Sequence, residues 1–261
     1  MIDSHCHLDA AEFDGDREQV VAASIQAGVK MILVPAVQRG NFDRVAQLGQ
    51  HTNVCYALGI HPIYVDRASD ADLSALRAAV ELAMPDPRFI AIGEIGLDFF
   101  VAGLNRERQL VFYQQQLRLA KEFELPVILH VRRAQDQVLK YLRKHQVRHG
   151  IAHAFNGSQQ QALAYLAQGF ALGFGGAMTF TRALQIRRLV TDLPAHAHVL
   201  ETDSPDIAPH WVHPGRNSPS ELPAIAQVFA QLRGSALADC VALTDANVRR
   251  VLPRLAALLN Y

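Results

Sequence analysis

The sequence predicts an α/β protein, an eight-stranded (β/α)8 barrel of the TIM type, on three observations. Short apolar runs of strand length recur along the 261 residues, at 2–7, 30–34, 54–59, 89–94, 127–130, 150–153, 170–174 and 197–202. The stretches between them read as helices, several with a capping residue in front. Residues that bind metals well, His5, His7, Glu94, His130, His153 and Asp203, fall at the C-terminal ends of five of those runs. Strand alternating with helix implies right-handed parallel crossovers, and eight such units close into a barrel. All strand C-termini then open onto one face, where barrels of this kind keep their chemistry.

The first run carries Asp3-Ser4-His5-Cys6-His7. Side chains two apart on a strand share a face, so His5 and His7 both reach the mouth while Cys6 turns toward the helices. After 30–34, Asn41 is placed to cap a helix at 42–50; after 54–59, Ser69 is placed to cap 70–83. The run 89–94 ends in Glu94, a carboxylate that must be paired, hydrogen-bonded or metal-bound, because burying it bare costs several kcal/mol. Gly93 and Gly96 flank it and allow close approach of backbone or ligand. Asn105 precedes a helix at 106–123 whose Leu110, Tyr113, Leu117 and Ala120 form a stripe of helical period. The runs 127–130 and 150–153 end in His130 and His153, and Ser158 precedes a helix at 159–168. The last run leads through Glu201 to Asp203 on the same face, so one of these two carboxylates can support the other's ligand role. Residues 218–260 add helices expected to pack across the outside or the bottom. No repeat, low-complexity tract or linker interrupts the chain, so one domain spanning 1–261 is expected.

Net charge is zero, from 25 basic and 25 acidic residues, with a pI near 7.2. A protein that tracks long nucleic acid carries a basic stripe, because phosphate neutralisation drives that binding. The balance argues against a wide nucleic-acid footprint and leaves open a pocket for a chain end. Only four basic residues are lysines, at 30, 121, 140 and 144. Arginine suits bidentate contact with phosphate, although genome composition is the better explanation of the skew. No apolar run approaches the ~20 residues of a membrane span. The N-terminus lacks a basic-then-apolar leader. Three separated cysteines, Cys6, Cys55 and Cys240, fit reduced thiols better than a disulfide framework. A cytoplasmic protein with no membrane contact and no obligate protein partner is expected.

Imidazole and carboxylate together suit divalent cations. A lone His-x-His is weak evidence, a single buried His is more often a satisfied core residue, and a single Asp is as well explained as a helix cap. Six such residues at five strand ends make a common metal centre the better reading.

The motifs carry a resemblance. Asp-Ser-His-Cys-His at 3–7, Leu-Gly-Ile-His-Pro at 58–62, Gly-Glu-Ile-Gly-Leu-Asp at 93–98 and Leu-Pro-Val-Ile-Leu-His at 125–130 resemble the TatD family of metal-dependent deoxyribonucleases. So do His-Ala-Phe-Asn-Gly-Ser at 153–158, Glu-Thr-Asp-Ser-Pro at 201–205 and Asn-Ser-Pro-Ser-Glu-Leu at 217–222. The stretch Val-Ile-Leu-His-Val-Arg-Arg at 127–133 is similar to the YjjV-like branch of that family. The resemblance implies a barrel of the metal-dependent amidohydrolase type with two divalent ions (Mg, Mn, Zn or Ni). It implies that His5, His7 and Asp203 hold one ion, that His130 and His153 hold the other, and that Glu94 bridges them. His61 would sit beside a substrate phosphate; Arg132 and Arg133 are further candidates for holding it, equally well read as exposed residues at a helix entry. Asp203 would take the proton from an attacking water activated by metal. Asn156 stands where the family often has Ser, so substrate contacts there are expected to differ. The expected reaction is 3′-5′ exonucleolytic hydrolysis of phosphodiesters at DNA ends, single-stranded rather than double. The alternatives are hydrolysis of a small ester, amide or phosphoester on the same barrel, or a non-catalytic binding protein. Trp211 could stack on a terminal base, although a lone Trp in a long loop more often closes packing, and Phe155 and Phe180 are equally ambiguous.

Overall fold

In the computed structural model, which describes residues 1–259, eight parallel strands pair in sequential order. They are β1 (Ile2–Asp3), β2 (Met31–Pro35), β3 (Val54–Leu58), β4 (Phe89–Asp98), β5 (Val127–Arg132), β6 (Gly150–Ala152), β7 (Phe170–Phe174) and β8 (His198–Leu200). The seam between first and last strands is closed by single bonds, Ser4 N–H to the Leu200 carbonyl at 3.0 Å and Asp203 N–H to the His5 carbonyl at 2.9 Å. Helices α1 (Arg17–Gln26), α2 (Phe42–Leu48), α3 (Asp70–Ala83), α4 (Arg106–Glu122), α5 (Gln135–His145), α6 (Gln159–Leu166) and α7 (Leu184–Asp192) return the chain between strands. Three more, α8 (Leu222–Arg233), α9 (Leu237–Val251) and α10 (Pro253–Leu258), follow the last strand.

Strand alternation sorts the core into two layers. Residues such as Ile32, Val34, Tyr56, Val127, Leu129, Leu172 and Leu200 face the helices. Met31, Leu33, Cys55, Ala57, Ile128, Ile151, Ala171 and Val199 fill the barrel interior. Val248, Val251, Leu252 and Leu255 belong to that interior cluster, so α9 and α10 plug the bottom of the barrel. The same alternation aims the mouth residues. His130 stands two residues beyond Ile128, His153 two beyond Ile151, and Glu201 and Asp203 two and four beyond Val199.

Several predicted boundaries shift for physical reasons. β1 stops at Asp3 instead of His7, because beyond it the backbone bonds alternately to the two neighbours, Cys6 N–H to the Leu33 carbonyl and His7 N–H to the Ser204 carbonyl. β4 runs on to Asp98 rather than ending at Glu94, and its pairing slips by one residue against β3 and again against β5. Such bulges re-aim side chains, and the second one lies between Ile92 and Ile95, around Glu94. β5 continues to Arg132, so His130 lies within it, while β6 and β8 end just short of their ligand-type residues. Asn41 precedes α2 without capping it: its side-chain oxygen accepts from Val37 N–H and Gln38 N–H instead. Ser158 and Asn105 do cap, accepting from Gln161 N–H and Arg108 N–H.

Candidate metal centre at the barrel mouth

The six strand-end residues meet at the floor of a cleft of about 1880 Å³. Glu94 is their centre, 1% exposed. Its Oε2 lies 3.4 Å from both His5 Nε2 and His7 Nε2. Its Oε1 lies 2.9 Å from His153 Nε2, 3.1 Å from His130 Nδ1 and 3.5 Å from His61 Nε2. Asp203 Oδ1 completes the first side, 3.6 Å from His5 Nε2 and 3.7 Å from His7 Nε2, which are 3.2 Å from each other.

Those donor atoms fit a divalent cation. A tetrahedral ion with bonds of about 2.1 Å has ligand–ligand edges of about 3.4 Å, and the five measured edges of the first group fall between 3.2 and 3.7 Å. Glu94 Oε2 is buried without a hydrogen-bond partner. It faces two imidazole nitrogens, and a proton can satisfy only one of them where a cation would serve all. The second group, Glu94 Oε1 with His61, His130 and His153, likewise turns ring nitrogens onto one carboxylate oxygen.

The electrostatics of the same atoms call for positive charge. Burial would lower His7 and His153, but Glu94 and Asp203 outweigh it and push them up to about 9 and about 10. His130 is likewise raised against burial by Asp98 and Glu94. Burial would raise Glu94, yet the surrounding imidazoles hold it well below the usual carboxylate range. His5 is held well below its usual value by burial and by the neighbouring His153. His61, lowered to about 4 by burial, is a neutral imidazole. Burial raises Asp203, which still borders the cleft.

Supporting residues fix this arrangement. Asp3 accepts from Thr202 N–H (2.9 Å), Thr202 Oγ1–H (2.6 Å) and His5 N–H (3.3 Å), tying the His5 and Asp203 segments together across the seam. Glu201 Oε1 accepts from Ala154 N–H at 2.5 Å and stands 3.8 Å from His153 Nδ1, so of the two carboxylates on that strand face Glu201 is the supporting one. Gly173 makes room for it, since a Cβ there would collide with its carboxylate. Gly96, at φ +151°, lies so close to the His130 carbonyl that a Cβ would overlap it.

Two residues beside the centre escaped the sequence reading. Asp98, 2% exposed, places Oδ2 3.0 Å from His130 Nε2. Asp98 accepting the Nε2 proton would leave the Nδ1 lone pair of His130 for an ion held beside Glu94 Oε1. Alternation beyond Glu94 was the available signal: Glu94, Gly96 and Asp98 are spaced to share the mouth face once β4 is read to its full length. Phe100 is the second, on the rim, with the Arg132 guanidinium carbon 3.7 Å and the Arg133 carbon 4.7 Å from its ring centroid. Both arginines line the cleft and neither pairs with a carboxylate among the described residues. Trp211 is engaged elsewhere, donating to Glu221 at 2.7 Å, and Phe155 is buried against Tyr165. Asn156 lines the cleft.

A family model described as TatD related DNase matches residues 2–253. The uncharacterized metal-dependent hydrolase YjjV of Escherichia coli K12 is 39% identical over 235 residues, covering 89% of this chain and 90% of that one. The 3′-5′ ssDNA/RNA exonuclease TatD of Erwinia tasmaniensis is 32% identical over 260 residues, covering 96% of this chain and 99% of that one. The crystal structure of Escherichia coli YjjV superposes with a TM-score of 0.93 at 36% identity, covering 97% of this chain and 98% of that chain.

Proposed function

The chain belongs to the TatD related DNase family of metal-dependent hydrolases, and from that premise we propose that it removes nucleotides from the 3′ end of single-stranded DNA. The observation that carries this reading is Glu94, one buried carboxylate whose two oxygens face two separate groups of imidazoles beneath an open cleft. His5, His7 and Asp203 would hold one divalent ion and His130 and His153 a second, with Glu94 common to both groups. The ions are drawn from Mg, Mn, Zn or Ni, since a nitrogen and carboxylate donor set accepts several. When bound, they supply Lewis acidity toward water and toward a phosphoryl oxygen.

The protein's own groups do the rest. Asp203, raised by burial yet open to the cleft, accepts the proton of the attacking water and can pass it to solvent. His61, neutral and packed edge-on to His130, donates to a non-bridging phosphate oxygen. Arg132 and Arg133, with Lys140 and Arg143 on α5, give the cleft a local cationic wall inside a chain of zero net charge. That suits a few terminal phosphates rather than a long duplex. No helix of the described residues is long and apolar enough to cross a membrane, and with its three thiols unpaired we place the protein in the cytoplasm. The zero net charge favours a second reading, in which the same centre hydrolyses a small phosphoester.

The test is hydrolysis of 5′-end-labelled single-stranded DNA with added Mg, Mn, Zn or Ni. Removal of nucleotides from the 3′ end gives a descending ladder that keeps the label, and Asp203→Ala abolishes it. Intact DNA from protein shown to carry metal, with turnover of a small phosphoester, would replace this reading with the second.

A further inference from the structure

Phe100 is 45% exposed, an unusual position for a large aromatic, and it borders the cleft. Its surroundings are built rather than incidental. Asp98 Oδ1 accepts from Phe100 N–H at 2.8 Å and from Val101 N–H at 2.9 Å, while Oδ2 of the same carboxylate meets His130 Nε2 at 3.0 Å. The side-chain amide of Gln109 on α4 clamps both backbone groups of Asp98, accepting from its N–H at 2.8 Å and donating to its carbonyl at 2.9 Å. Phe99 N–H donates to the Arg132 carbonyl at 2.9 Å, joining this loop to the end of β5. The Phe100 backbone is therefore tied to His130 through a single carboxylate.

We propose that Phe100, with the guanidinium groups of Arg132 and Arg133 laid on it, is a stacking platform for one nucleobase next to the reacting phosphate. The proposal rests on the nuclease reading and extends it to the substrate's base. An aromatic ring with guanidinium planes beside it matches how single-stranded nucleic acid is held without regard to sequence, since every base offers a π-face. While stacked, each arginine keeps its N–H edge free for a phosphate oxygen. Only an unpaired base can leave its own helix to lie on such a surface, so the platform selects single strands or frayed ends. Of the other aromatic candidates, Trp211 donates to Glu221, Phe180 packs edge-on to His210 and His213, and Phe155 is in the core.

Two oligonucleotides test this, identical except that the last two 3′ nucleotides are thymidines in one and stable abasic units in the other. The wild type should prefer the thymidine end on the order of tenfold in kcat/KM, through KM. Phe100→Ala should erase that preference by raising KM for the thymidine end; Phe100→Trp should keep the preference. In a second readout, 2-aminopurine at the 3′ end should be quenched on binding Asp203→Ala protein, and not on binding Asp203→Ala/Phe100→Ala protein. A wild type that cleaves both ends equally, or a Phe100→Ala loss shared equally by both, overturns the platform alone. Cleavage of neither end by metal-loaded wild type overturns the nuclease reading, and the platform with it.

Discussion

Asp98→Asn is a nearly isosteric change with an unequal effect on the two proposed ions. Asparagine keeps the oxygen that accepts from Phe100 N–H and Val101 N–H, so the loop stays in place. The other oxygen becomes an amide nitrogen, and it would bring N–H against the Nε2–H of His130. The imidazole must then move its proton to Nδ1, the atom that faces Glu94 Oε1 at 3.1 Å. A hydrogen bond to a charged group contributes about 1.5–3 kcal/mol. At about 1.4 kcal/mol per factor of ten, affinity at the His130 position should fall about 10- to 100-fold, the range for losing the partner of a metal-bound histidine. The His5, His7 and Asp203 position, which Asp98 does not touch, should keep its affinity. Titration with Zn or Mn against a chromophoric chelator resolves the two steps. Two unchanged steps, or a loss shared equally by both, would refute the orienting role of Asp98.

Glu94→Gln removes the only side chain common to both groups, so retained metal measured by elemental analysis should fall from two ions per chain to one or none. Metal uptake should release protons and tighten as pH rises from 7 toward 9, because His7 and His153 hold protons to about 9 and about 10 without metal. The same raised values fix the sign for chelator-treated protein. Their stabilisation is fully present below the unfolded pKa of about 6.5 and is lost as pH rises through 9 to 10, which unfolding curves against pH would detect. Gly96→Ala places a Cβ on the His130 carbonyl in a backbone region unfavourable to side chains, and should lower Tm by roughly 5–10 °C in a thermal melt. Arg132→Ala and Arg133→Ala should each raise KM for DNA by about tenfold at constant kcat and flatten its salt dependence, read from steady-state kinetics at several ionic strengths.

The barrel was legible because its strands are short apolar runs, a pattern that burial on both faces imposes, and five of the eight end at a His, Glu or Asp. Its mouth was legible for the same reason: His130 and His153 follow Ile128 and Ile151 at the strand period, so a core-facing residue predicts a cleft-facing one. β4 was not read to its end because Gly93, Glu94, Gly96 and Asp98 look like a turn in isolation. Only the neighbouring strands, with their shifted registers, hold that stretch extended. Asp98 and Phe100 were lost with it. β1 misled in the opposite direction: a run of strand-like residues was expected to pair to His7, but the seam is held by the Asp3 side chain and alternating single bonds, which leave no sequence period. Asn41 had the residue type of a cap and the right position. Its oxygen is taken by the Val37–Gln38 loop and its amide by Asp9, a tertiary competition invisible along the chain.

The most direct measurement is anomalous diffraction from crystals of the protein soaked in manganese. Two peaks are expected, one among His5, His7 and Asp203 and the other beside His130 and His153, with Glu94 touching both. A single peak, or ions bound away from Glu94, would contradict the bridged centre on which the hydrolytic reading depends.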